Sequence, residues 1–263
     1  MTNITLKIPK EEFQKVKQEL TDMGFFEREE ANCLWSLTDG QTYAKLYPSG
    51  TLLLQGKDVE RLRGHILSFL SLPNKVIVGC DESGKGDIFG PLVICCAVIK
   101  PEYYKKVLEL NFRDCKKMKD EEVIRKAKAY ESFGEFKCIT VQPYELNKMY
   151  EEIGNMNRIL DKLYRELLEE IKKKHPSAEF LIDAYSKRNP FGGWVIFEHK
   201  GEENPSVAVA SVLARAKFLE WLKAHNLPKG SSSDSLSIAM DIYIRKPESA
   251  KKILKTFFLQ DLS

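Results

Sequence analysis

The sequence predicts a mixed α/β protein built from two units, and three observations carry that reading. Residues 1–72 follow a β-α-β-β-β-α periodicity, the chain after Asn74 alternates apolar strands with helices, and two of those later strands end in acidic residues. The 263 residues exceed one typical domain, and a 43% hydrophobic share is enough to fill two cores.

In the first unit, Ile4, Leu6 and Ile8 alternate as a strand, and Phe13, Val16, Leu20 and Met23 follow helical spacing with Pro9 near the helix start. Segments 33–37, 42–47 and 52–54 are punctuated by Thr38-Asp39-Gly40 and Pro48-Ser49-Gly50, which predicts a three-stranded meander. Val59, Leu62, Ile66, Phe69 and Leu70 form the stripe of a second helix, and Leu72-Pro73-Asn74 marks the division. With 9 basic and 10 acidic residues, the unit is no basic clamp. Any nucleic-acid contact would rely on its sheet face, where Trp35, Tyr43, Lys45 and Tyr47 are the exposed candidates; the competing reading packs these aromatics against the helices.

In the second unit, strand 76–80 and strand 92–99, after the Phe89-Gly90-Pro91 turn, are expected to pair as a hairpin. A helix over 120–129, a strand over 136–141 and a long helix starting at Tyr144 or Asn155 and ending at Lys173 come next. Strand 180–182 ends in Asp183, strand 194–197 follows, and a helix rich in small residues covers 206–222. From Ser231 onward the serines suggest a loop, and Ile253, Phe257 and Phe258 suggest a helix packed back on the core.

The net charge of +3 is the remainder of 41 basic and 38 acidic residues, so nucleic-acid binding would come from local patches. Six cysteines without C-x-x-C spacing, and a start lacking a basic region before an apolar stretch, point to a reduced cytoplasmic protein without a zinc knuckle. No apolar run approaches the ~20 residues needed to cross a bilayer. No obligatory protein partner is evident.

Chemistry concentrates in Gly79-Cys80-Asp81-Glu82-Ser83-Gly84-Lys85-Gly86-Asp87. Read as G-x-x-x-x-G-K, the segment could cradle a nucleotide, but a Walker loop places Ser or Thr after its lysine to ligate magnesium, and here Gly86 stands there. Asp81 and Glu82 would also repel a triphosphate from inside the loop. As divalent-ion ligands they are neutralised, leaving Ser83, Gly84, Lys85 and Gly86 to offer amides and one cation to a phosphate. Asp183 ends another apolar strand, and Glu202-Glu203 precede the small-residue helix. Parallel strands ending at one sheet edge would bring these acids together at an electrostatic cost that cations relieve. Oxygen ligands with no nearby His or Cys favour magnesium or manganese over zinc.

These residues resemble a known family. Gly79 to Asp87 followed by Phe89-Gly90-Pro91 resembles the opening signature of type 2 ribonucleases H, and the Gly-Lys-Gly turn resembles ribonuclease HIII in particular, since ribonucleases HII typically carry Gly-Arg-Gly. Asp114-Cys115-Lys116-Lys117-Met118 is similar to the family's Asp-Ser-Lys-Lys-Leu element, with cysteine in place of serine. Asn155-Met156-Asn157 resembles its Asn-containing helix start, Leu181-Ile182-Asp183 its central strand, and Lys200-Gly201-Glu202 with segment 207–215 its last carboxylate and helix.

The resemblance implies a ribonuclease H-like mixed sheet with flanking helices over residues 75–263. Before it, residues 1–72 would form a substrate-binding α+β domain resembling the TATA-box-binding protein fold. The implied activity is endonucleolytic hydrolysis of the RNA strand of an RNA/DNA hybrid with two Mg2+ or Mn2+ ions, leaving 5′-phosphate and 3′-hydroxyl ends. Asp81, Glu82, Asp183 and Glu202 would be catalytic and hold the ions, with Glu203 as the fallback for the fourth ligand. Ser83, Gly84, Lys85 and Gly86 would contact the substrate. Two alternatives stand beside this reading: a P-loop-like nucleotide hydrolase and a non-catalytic hybrid-binding protein.

Overall fold

A computed structural model describes residues 2–112, 115, 118–199, 201 and 204–262, with side chains through 259. The chain begins with β1 (Thr2–Lys7), α1 (Phe13–Asp22), β2 (Phe26–Glu27), β3 (Trp35–Thr38), β4 (Thr42–Leu46), β5 (Thr51–Gly56) and α2 (Val59–Phe69). These strands form an antiparallel sheet in the order β1-β5-β4-β3-β2. Opposed residues share a face, so the register Trp35↔Leu46, Leu37↔Ala44 and Ala44↔Leu54 builds one apolar surface, which packs with Val16, Leu20, Leu62 and Ile66 of the two helices. Trp35 belongs to that surface and is only 8% exposed, which corrects its placement among the exposed candidates. Tyr43 and Lys45 stand on the opposite face, where Arg28 donates to the Tyr43 hydroxyl and Lys45 pairs with Glu30. Two residues are too few for β2 to leave a periodic signal in the sequence.

The second sheet has the order β10-β9-β6-β7-β8. It is built from β6 (Ile77–Ser83), β7 (Leu92–Ile99), β8 (Glu135–Val141), β9 (Glu179–Asp183) and β10 (Val195–Glu198). β7 runs antiparallel to both β6 and β8, as the expected hairpin requires, while β6, β9 and β10 are mutually parallel. Its helices are α3 (Tyr104–Leu110), α4 (Asp120–Glu131), α5 (Pro143–Ile153), α6 (Met156–Lys174), α7 (Pro205–His225), α8 (Ser233–Arg245) and α9 (Pro247–Ala250).

Strand alternation divides the core. Val78, Cys80, Ile94 and Cys96 pack with Leu160, Leu163, Tyr164 and Leu167 of α6. On the other face, Val93, Cys95 and Ala97 pack with Ala208, Val209 and Val212 of α7. Gly79 lies directly beneath α7: a Cβ there would sit 2.2 Å from the Ser206 carbonyl carbon and 2.3 Å from Val207 N. The small residues of α7 and the missing side chain of Gly79 together let helix and strand touch backbone to backbone.

Of the two starts expected for the long helix, Asn155 holds: it caps α6 by accepting from Asn157 N at 2.9 Å and Arg158 N at 3.2 Å, while the chain from Tyr144 forms the separate α5, ended at Gly154 with φ 66°. Two further expectations need correction. The serines after Ser231 start α8, with Ser232 Oγ accepting from Ser235 N at 3.2 Å, so a capping signal had the look of a loop. The cysteines are not all reduced: Cys80–Cys96 and Cys95–Cys138 form two disulfides. Both join residues directly opposite in the ladder, a pairing visible only once strand register is known.

The C-terminal segment is laced to the turn after β6. Lys255 is fully buried, and its ammonium donates to the carbonyls of Asp87 at 2.7 Å, Phe89 at 3.2 Å and Gly90 at 2.6 Å. Asn147 donates to the carbonyls of Lys251 at 3.2 Å and Leu254 at 2.9 Å and accepts from Thr256 N at 2.9 Å. Among the described residues, no helix is long and apolar enough to cross a membrane.

Candidate active site

Parallel pairing of β6 with β9 places Cys80 opposite Ile182, so Asp81 and Asp183 emerge side by side at one sheet edge. They open into a cavity of about 430 Å³ that the turn 83–87 also lines. Asp81 and Glu82, as chain neighbours, point to opposite faces of the sheet. Asp81 turns toward α7, where the nearby Ser211 hydroxyl favours its charged form, and Glu82 N donates to its Oδ1 at 2.8 Å. Glu82 turns toward α6, where the Tyr164 hydroxyl donates to Oε2 at 2.5 Å. Asp183 Oδ1 accepts from Gly201 N at 2.8 Å, an approach that a side chain would hinder, since a Cβ on Gly201 would lie 2.9 Å from the Asp183 Cα.

Burial, and after it the charges of Glu82 and Asp183, push the Asp81 carboxyl well above the usual carboxylate range, with Ser211 and the Glu82 amide working against them. Burial and the neighbouring Glu82 and Asp81 charges likewise raise the Tyr164 phenol, which keeps it a donor. Ser211 Oγ donates to Cys115 Sγ at 3.2 Å.

All three described acids offer hard oxygen donors, and their crowding is of the kind a divalent cation relieves. Among the described residues, no group of three His, Cys, Asp or Glu side chains stands ready to hold a metal ion. Glu202 and Glu203, the two readings of the fourth carboxylate, lie outside the described residues, as do Asp114, Lys116 and Lys117.

The turn resolves into distinct parts. Residues 79–83 are strand, paired with β7, and no loop there wraps a phosphate. Ser83 is buried, and Gly84 takes φ 89° where a Cβ would strike Pro91 O at 2.1 Å, so that glycine serves the turn itself. Gly86 is exposed, with nothing within 4 Å of a Cβ position. Lys85 is half-buried; its ammonium donates to Asn157 Oδ1 at 3.0 Å and sits 5.3 Å from the Tyr185 ring centroid. Asp87 lines the same cavity, accepting from Gly230 N at 2.6 Å with Arg215 at 3.8 Å.

Sequence reasoning did not single out Ser211, Tyr164, Tyr185 or Asp161. Asn157, Asp161 and Tyr164 recur at i, i+4 and i+7 on α6, a polar stripe of one helix face that was the available signal.

Comparison with known proteins fits this arrangement. The family model described as Ribonuclease HII matches residues 78–238. A ribonuclease HIII of Aquifex aeolicus is 38% identical over 250 residues, covering 93% of this chain and 96% of the relative. The chain belongs to the ribonuclease HII family, among the ribonucleases HIII. A ribonuclease HIII of Protochlamydia amoebophila is 26% identical, covering 98% and 94% of the two chains. Among solved structures, that of Aquifex aeolicus RNase H3 superposes with a TM-score of 0.63 at 36% identity, covering 97% of this chain and 99% of that one. Bst-RNase HIII in complex with Mn2+ gives a TM-score of 0.65 at 22% identity over 97% and 95% of the chains, a likeness of fold. Membership makes the protein a ribonuclease H-type enzyme with a ribonuclease H-like mixed sheet, in a family that uses divalent metals.

Proposed function

We propose that the protein is an endonuclease that hydrolyses the RNA strand of RNA/DNA hybrids, with Asp81, Glu82, Asp183 and Glu202 as catalytic metal ligands. The observation that carries the reading is the convergence of Asp81 and Asp183 from neighbouring parallel strands onto one cavity, beside a turn whose outermost glycine is open. Two divalent ions, Mg2+ or Mn2+, supply water activation and stabilisation of the leaving 3′-oxygen when bound there. Asp81 is held by the Glu82 amide and Glu82 by the Tyr164 hydroxyl. Gly86 admits the substrate backbone closely, where a 2′-hydroxyl distinguishes RNA from DNA. Ser83 and Gly84 set the shape of that turn, and Lys85 presents a cation steadied by Asn157 to a phosphate.

Residues 75–263 are the catalytic domain in this account. Residues 1–72 bind substrate through the sheet face carrying Arg28, Tyr43 and Lys45, which lies away from the helices. A hybrid substrate arises where RNA and DNA are both made, and this supports the cytoplasm as the place of action. The nucleotide-hydrolase alternative loses support because Gly79 to Ser83 are ladder residues.

Incubation of the purified protein with Mg2+ and an end-labelled RNA/DNA hybrid tests the proposal. It requires RNA fragments bearing 5′-phosphate and 3′-hydroxyl ends and an intact DNA duplex control. Cleavage of the DNA duplex with the hybrid untouched, or ATP hydrolysis without nucleic acid, would overturn it.

A further inference from the structure

One face of α6 addresses the site at three successive turns. Asn157 Oδ1 accepts from the Lys85 ammonium at 3.0 Å, Asp161 Oδ1 accepts from the Tyr185 hydroxyl at 2.6 Å, and the Tyr164 hydroxyl donates to Glu82 Oε2 at 2.5 Å. The rings of Tyr164 and Tyr185 lie nearly parallel, 8° apart with centroids at 5.4 Å, and Phe191 meets the Tyr164 ring edge-on at 6.2 Å. Tyr164 is fully buried, so its hydroxyl has little freedom to point elsewhere. Tyr185 is fixed in turn from below by Asp161 and from its rim by Phe197 at 5.1 Å. A carboxylate on a flexible glutamate side chain is thereby held in one orientation by a phenol that packing has immobilised.

We propose that Tyr164 is a positioning residue for the reaction at this site, locking the Glu82 carboxylate in the orientation from which it takes a divalent cation. The proposal rests on the reading of Glu82 as a metal ligand. Tyr185 backs the phenol, and the two stacked rings support Glu82 from behind the cavity lining. Asp81, on the other face, is held by the Glu82 amide instead, which donates to its Oδ1 at 2.8 Å.

The test is calorimetric titration of Mn2+ into the full-length protein without nucleic acid, paired with steady-state cleavage of an RNA/DNA hybrid. The variants are Tyr164→Phe, Tyr185→Leu, Glu82→Gln and the double variant Tyr164→Phe/Glu82→Gln. Tyr164→Phe keeps the ring and its stack; it is expected to weaken Mn2+ binding about 10-fold and lower kcat by a similar factor, with KM for the hybrid unchanged. Tyr185→Leu leaves the hydroxyl but removes its backing, and gives a smaller loss in the same direction. Against the Glu82→Gln background, Tyr164→Phe costs nothing further. Wild-type or tighter Mn2+ affinity in Tyr164→Phe, or an undiminished effect in the double variant, overturns the positioning role. If Glu82→Gln itself binds Mn2+ as the wild type does, the reading of Glu82 as a ligand fails first, and the proposal falls with it.

Discussion

Alanine at position 79 would insert one methyl group where β6 and α7 meet. The new Cβ would stand 2.2 Å from the Ser206 carbonyl carbon and 2.3 Å from Val207 N, against the roughly 3.5 Å of an ordinary contact. The obstacle is the Ser206–Val207 peptide bond, so no rotamer change relieves it, and the first turn of α7 must retreat by more than about 1 Å. That turn carries Val207 and Ala208, both at 0% exposure, so retreat also opens unfilled space in a dry core. Overpacking costs about 1–3 kcal/mol, and lost contacts along the helix bring the expected total to about 3–5 kcal/mol. For a chain of this size that lowers the melting temperature by roughly 6–20 °C. Urea unfolding of wild type and Gly79→Ala measures it. Activity falls with it, because α7 also carries Ser211 and moves it from Asp81. A variant within about 0.5 kcal/mol of wild type with full cleavage would refute the close-approach account.

Other perturbations probe separate parts of the structure. Burial pushes the Lys255 ammonium down to about 7, opposed by the Asp87 charge, while an unfolded lysine holds its proton to about 10.4. Between those values the unfolded chain binds more protons, so wild-type stability rises with pH relative to Lys255→Met, by up to about 1.4 kcal/mol per pH unit; urea titrations near neutrality and near pH 9 giving one constant difference would contradict this. Alkylation of the unreduced, denatured protein should modify Cys33 and Cys115 and spare the other four cysteines, and reduction should lower stability by about 2–4 kcal/mol per bridge; labelling of all six without reductant would contradict the pairing. In chelator, Asp81→Asn removes one of three crowded charges and should raise stability by about 1–2 kcal/mol, an advantage that Mn2+ erases by stabilising the wild type alone.

Local patterns made much of the catalytic sheet readable. Strand periodicity placed β6, β7 and Asp183, and the apolar strand ending in an acid was enough to locate two members of the site on parallel neighbours. Gly79 was read as a possible phosphate-loop glycine, although its cause is α7, more than a hundred residues away, which no local pattern records. The same limit applies to the disulfides, whose pairing follows from register, and to Trp35, whose face depends on which partner residue it opposes. Tyr164 carries helical spacing like any core residue, and only the tertiary fold brings its hydroxyl to Glu82. Lys255 offered no signal at all, since a buried lysine is identified by the carbonyls around it.

The central claim is that the acids at the ends of β6 and β9 are catalytic, and parallel cleavage and binding measurements on one RNA/DNA hybrid test it most directly. Wild type, Asp81→Asn and Asp183→Asn would be compared with Mg2+ and then with Mn2+. Wild type is expected to cut the RNA strand, with loss of at least about a hundredfold in both variants and hybrid affinity retained within a few-fold. Cleavage by either variant at the wild-type rate would contradict it.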